Sequence, residues 1–178
     1  MPFKFKTKFN NKVGEGGMQG ICLACGLCCN GVLFADVRLE NGDDALKLKT
    51  LGLRVSKSGR FKQPCSALQG CKCAVYADRP DYCRKFECLL FKKVQKRETL
   101  ADKALAVIKK AQAAVARVEN LLEELGSDDR HLPLQKRFQV QLRRMEAGSI
   151  GAGEADVFAE LTVAFHELNL LLREEFYP

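Results

Sequence analysis

All nine cysteines of the 178-residue chain lie between Cys22 and Cys88, and the last 90 residues contain none. Thiols this dense must be paired, buried or bound to a cation, because thiolates repel one another and are costly to desolvate. An odd count leaves a disulfide framework incomplete. The N-terminal stretch MPFKFKTKFNNKVGEGG carries lysines but no apolar core of a secretory signal, so reduced thiols in a cytoplasmic protein are expected. There, clustered cysteines more often bind metal than pair.

The first cluster reads Cys22-Leu-Ala-Cys25-Gly-Leu-Cys28-Cys29. Two C-x2-C steps in tandem bring three thiols onto one tight loop, and Gly26 supplies the permissive backbone such a loop needs. The second cluster, CSALQGCKCAVYADRPDYCRKFEC, holds Cys65, Cys71, Cys73, Cys83 and Cys88. Zinc takes four thiolates in a closed structural site. A [4Fe–4S] cluster also takes four, and C-x2-C-x2-C is a ferredoxin-like spacing, so zinc and iron both remain open. Side chains of adjacent Cys28 and Cys29 diverge in an extended segment, so they serve two metals or one of them bridges. Pro80 fixes its own φ and pushes Arg79 toward an extended conformation, which turns Cys83 back toward Cys73. Arg79 and Arg84 are candidate donors to thiolate sulfurs, offsetting part of the negative charge of a four-thiolate site. Tyr76 reads as a packing residue.

Taken in order, CLACGLCC, CSALQG and CAVYADRPDYCRKFEC resemble the bacterial YkgJ-type cysteine-cluster family, which carries the C-x2-C-x2-CC signature and is described as a zinc- or iron-chelating domain. The resemblance covers Cys22 to Cys88. It implies Cys22, Cys25, Cys28, Cys29, Cys65, Cys73, Cys83 and Cys88 as metal ligands. Tyr76, Arg79, Pro80 and Arg84 match the family's C-x-[IV]-Y-x-x-RP-x-x-CR segment. Cys71 departs from the pattern, as a ninth ligand, a spare or a regulatory thiol. The signature also occurs in proteins related to flagellin lysine-N-methylase. That implies an alternative function, an iron–sulfur-dependent protein lysine methylase, although no loop for S-adenosylmethionine is recognisable here.

The expected fold class is α+β: a flexible N-terminal segment over residues 1–21, a small irregular Cys-rich metal-binding module over 22–95, and a helical arm over 96–178. Gly31 to Leu39 reads as a strand with Val32 and Phe34 inward. Asp43 then N-caps a short helix closed by Gly52, and Ser58-Gly59 turns a hairpin within Leu53 to Lys62. Ala101, Ala104, Ile108, Ala111, Val115, Val118, Leu122 and Leu125 form a heptad seam stopped by Gly126. A second helix follows Pro133 with Leu134, Phe138, Leu142 and Met145 on one face. A third runs from Glu154 to Phe176 with Phe158, Leu161, Phe165, Leu168 and Leu172 inward. Short connections predict a helical hairpin or three-helix bundle packed on the Cys-rich part, with a coiled coil to another subunit as the lesser alternative.

Net charge is +7, unevenly spread: residues 89–117 carry eight Lys/Arg against two acids, whereas residues 153–178 carry six acids against one Arg. Facing blocks across packed helices explain this best. A zinc module binding RNA or the ribosome is the competing reading, and nucleic acid ranks below metal ions and below a protein partner on the helical arm. No apolar run is long enough to span a membrane. His131 and His166 lie far from the cysteines in sequence, and Val163 stands where a helical di-iron motif would need Glu, so neither histidine is taken as a ligand.

Overall fold

The computed structural model describes residues 17–177. Most of the expected N-terminal segment, with its Gly14-Glu-Gly stretch, lies outside the described residues, and its last part begins helix α1 (Gly17–Cys25). The architecture is α+β. Two antiparallel ladders, β1 (Asp36–Arg38) with β2 (Arg60–Lys62) and β3 (Leu68–Gln69) with β4 (Lys72–Cys73), are interleaved with α2 (Ala45–Thr50). Short helices α3 (Asp81–Lys85) and α4 (Leu89–Gln95) then lead into α5 (Ala101–Glu124), α6 (Leu134–Glu146) and α7 (Ala152–Glu175).

The heptad seam is borne out. Ala104, Ile108, Ala111, Val115, Val118, Leu122 and Leu125 are buried, Ala101 is half-buried, and Gly126 ends the segment at φ +74°. Their partners are Phe158, Leu161, Leu168 and Leu172 of α7, with Phe165 stacked on Phe138 at 4.1 Å. Three contacts of Arg144 and Lys93 show that α5 and α7 run antiparallel. Arg144 reaches both Leu125 O at the end of α5 and Glu154 at the start of α7, while Lys93, just before α5, pairs with Glu175 at the end of α7. Arg117 of α5 sits between Glu160 and Glu167, at 3.1 and 3.0 Å. The basic and acidic blocks therefore do meet across the hairpin. Exposed pairs of this kind stabilise by only about 0–1 kcal/mol each, so the apolar seam carries the packing. Leu122 is fully buried there, and Leu122→Ala should cost about 2–5 kcal/mol in denaturant unfolding, against under about 1 kcal/mol for Leu170→Ala on the exposed face.

Helix α6 corrects the expected apolar face. Its inward residues are Leu134, Arg137 and Gln141, with Phe138 half-buried, whereas Leu142 and Met145 face solvent. The reason is that α6 braces the end of the hairpin rather than joining its seam. Arg137 donates to Ser127 beyond the α5 terminus and lies 3.9 Å from Glu119, and Arg144 donates to Leu125 O. Helix-terminal carbonyls need donors, and here side chains of α6 supply them.

Three expectations in the Cys-rich half also change. The segment after Cys29 stays in turns as far as Ala35, because the Val32 N–H donates to Asn30 Oδ1 and Leu33 N–H closes onto Leu27 O; Leu33 and Val37 are buried, and Val32 and Phe34 only half-buried. Asp44, not Asp43, caps α2, accepting from Leu46 and Lys47 N–H. Asp43 instead bridges Glu40 N–H and Asp81 N–H, tying the loop to α3. The turn at Ser58-Gly59 forms, but the strand after it pairs with β1, Val37 opposite Phe61.

Two apolar cores result. One runs from Ile21, Leu27, Leu33 and Leu90 through the α5–α7 seam to Phe176. The other is small, built from Val37, Leu48, Leu53, Val55, Phe61, Ala67 and Val75. Helix α1 packs along α5, so the Cys-rich and helical parts are joined, as the short connections imply. Gln112 of α5 reinforces the junction by donating to Ala24 O and Cys25 O at 2.9 and 3.0 Å.

Candidate metal centre

The two cysteine clusters converge because the backbone folds the first loop onto the second. Helix α1 ends at Cys25, and Gly26 turns the chain with φ +70°. A Cβ at that glycine would stand 3.2 Å from Cys71 Cα, so a side chain there is disfavoured by close approach as well as strained by backbone conformation. Cys29 and Asn30 N–H both donate to Gly26 O, closing the loop that presents Cys28 and Cys29. Cys29 O in turn accepts from Cys65 N–H at 2.7 Å. The β3–β4 hairpin sets Cys73 opposite Leu68. Arg79 and Pro80 are extended, as a residue before proline should be, and the turn into α3 brings Cys83 beside Cys65 and Cys73. Cys88 caps α4, its Sγ accepting from Phe91 N–H at 3.4 Å, and Leu89 N–H donates to Phe176 O.

All nine free thiols border one cavity of about 110 Å3, together with Tyr76, Arg79 and Gln63. Within it they sort. Cys25, Cys28 and Cys88 pack against the helical core, whereas Cys65, Cys73 and Cys83 pack against the small sheet core. Electrostatic neighbourhoods divide the same way. Cys28 feels Cys25, then its neighbour Cys29, then Cys88 and Cys22, while Cys29 feels Cys65, Cys73 and Cys83. The adjacent pair thus faces in two directions, meeting only through the Cys28–Cys29 junction. Cys71 lies outside both sets, beside Cys25, with Gln112 Nε2 at 3.5 Å from its sulfur.

Burial dominates the acid–base chemistry of these thiols. Desolvation, followed by repulsion from Cys88, pushes Cys22 up to about 11 even though much of that residue is open to solvent. Desolvation likewise lifts Cys25 to about 12, and with the charges of Cys65 and Cys73 it lifts Cys29 and Cys83 to about 12. Cys28, Cys65 and Cys88 are raised by the same cause. Without a cation these groups are neutral thiols at physiological pH.

The donor set fits a thiophilic metal. It is all sulfur, desolvated, and divisible into fours, the number taken by zinc or by an iron–sulfur cluster. Gln63, 1% exposed, leaves Oε1 without a hydrogen-bond partner in the cavity wall, so apolar contact alone does not satisfy that space. Among the described residues, no three His, Cys, Asp or Glu side chains already stand close enough to clasp an ion. Residues 21–110 match the family described as "CxxCxxCC: Putative zinc- or iron-chelating domain". The chain belongs to the CxxCxxCC family. That match runs through all nine cysteines and onward into the first half of α5. No curated protein matches the chain, and no solved structure does.

Sequence reasoning reached the eight family cysteines, Arg79 and Arg84 but missed Gln112 and Gln63. Neither lies in a motif: the tertiary fold sets Gln63 in the cavity wall and brings Gln112 to the α1 carbonyls and to Cys71. Arg84 turns away from the thiols to pair with Asp81 at 2.7 Å. His131 and His166 are exposed and do not line the cavity. Among the described residues, no helix is long and apolar enough to cross a membrane.

Proposed function

We propose that this CxxCxxCC protein holds two metal ions, with zinc preferred over iron, in two adjoining four-cysteine sites. Cys22, Cys25, Cys28 and Cys88 would hold one; Cys29, Cys65, Cys73 and Cys83 would hold the other. The observation that carries this reading is the packing of Cys25, Cys28 and Cys88 on one core and of Cys65, Cys73 and Cys83 on the other, with Cys22 and Cys29 assigned by their neighbours Cys88 and Cys65. Zinc neutralises converging thiolates without redox chemistry, and its binding free energy becomes folding free energy for a loop-rich chain. The small sheet core, seven residues around two short strands, needs such help. A reducing compartment such as the cytoplasm keeps the ligands available.

Elemental analysis with a visible spectrum, on protein purified without oxygen or added metal, tests the reading. About two zinc per chain and a featureless visible region are expected. Roughly four iron with matching sulfide and broad visible absorption would replace it with an iron–sulfur protein. One zinc per chain would defeat the two-site division.

A further inference from the structure

Between the two thiol sets lies a cation that belongs to neither. Arg79 follows a single 3-10 turn, Tyr76–Asp78, and borders the cavity. Its Nε donates to Tyr76 O at 3.0 Å, and its guanidinium carbon lies 3.6 Å from the centre of the Tyr76 ring. Those two contacts fix the plane of the group. No acid pairs with it among the described residues, so its charge is left for the cavity. That charge acts on Cys22 of the first set and on Cys29 and Cys83 of the second.

A divalent ion held by four thiolates carries a formal charge of about −2. Two such groups, joined through one peptide bond, repel each other in a partly desolvated space. We propose that Arg79 is the shared counter-charge of both metal sites, held between them by Tyr76 and offsetting the negative charge that each gathers on loading. This rests on the two-site reading above and adds a residue that acts on both sites at once. Arg84 cannot take the part, because its guanidinium is half exposed and engaged by Asp81.

The test compares Arg79→Gln, Arg79→Lys and Arg84→Gln in the full chain. Zinc affinity is measured by competition with a chromophoric chelator, and stoichiometry by elemental analysis. Arg79→Gln is expected to keep two zinc at saturation but to weaken both sites by roughly 10–100-fold, the usual effect of removing an outer partner of metal ligands. Arg79→Lys keeps the charge but not the planar stack on Tyr76, so it should weaken both sites, and by less than Arg79→Gln does, while Arg84→Gln stays within about threefold of the parent. Weakening of one site alone would overturn the proposal. So would an Arg79→Lys protein as weak as Arg79→Gln, since stacking on Tyr76 would then be the residue's whole contribution. If Arg79→Gln does not fold, the lysine variant decides by whether it weakens both sites or one alone. A parent protein that binds one zinc would instead defeat the two-site reading, which the stoichiometry shows independently of any arginine variant.

Discussion

Cys25→Ser and Cys83→Ser each remove one ion per chain, and not the same ion. The two residues sit on different cores: Cys25 against the α1–α5–α7 packing, Cys83 against Val37, Phe61 and Val75. Loss of one thiolate opens one tetrahedron and leaves the other closed. Stoichiometry should therefore fall from about two to about one in either variant, with a larger loss in the double variant. The structural consequences should differ. Without its ion, the small sheet core has little apolar area to hold β1, β2 and α2 together, so Cys83→Ser should melt that region first. Its amide protons should exchange fast while those of α5 and α7 stay protected. Cys25→Ser should loosen α1 and α4 and leave the sheet core protected. At a free zinc concentration about a thousandfold above Kd, each lost site removes about 4 kcal/mol of apparent stability. Cys28→Ser and Cys29→Ser sharpen the contrast, because neighbouring substitutions should give opposite exchange patterns. Loss of both ions from either single variant, or of neither, would sink the division.

What sequence reading recovered follows from the range of the interactions involved. The α5 seam is a local periodicity, and its partner face on α7 obeys the same spacing, so both were legible. The cysteine motifs are local as well, but the extended backbone expected at Cys28 and Cys29 is instead a turn, closed by Cys29 and Asn30 N–H on Gly26 O. The pairing of β1 with β2 sets Val37 opposite Phe61, and nothing in either three-residue strand names its partner. Val32 and Phe34 were given the wrong phase because one hydrogen bond, from Val32 N–H to Asn30, keeps the chain in a turn where alternation suggested a strand. In α6, Leu142 and Met145 drew the apolar face to the wrong side. The helix is positioned by arginines that satisfy the end of α5, and such polar docking leaves no hydrophobic period to read. Gln112 shows the same limit: its place on α5 is ordinary, and its role comes from the α1 carbonyls it meets.

Metal-free protein should lose stability as pH rises from about 8 to about 10, and zinc should abolish that loss. Unfolded cysteine titrates near 8.5, roughly. In the fold, Cys22 is pushed up to about 11, and Cys25, Cys29 and Cys83 to about 12, chiefly by desolvation. A folded pKa raised above the unfolded one means that the contribution is complete below the unfolded value. It is then lost as pH climbs toward the folded value, because the unfolded chain releases protons that the folded chain retains. Zinc reverses the protonation of its ligands. Each ion must displace on the order of four protons from thiols that are neutral at physiological pH. The loaded protein should therefore melt at a nearly constant temperature over the alkaline range and weaken instead on acidification, when protons compete for sulfur. Thermal melts with and without zinc across this range, with proton release followed by an indicator dye in weak buffer, give both arms. A metal-free chain that gains stability between about pH 8 and about 10, or zinc uptake without proton release, would contradict the desolvated, protonated state of the cavity thiols.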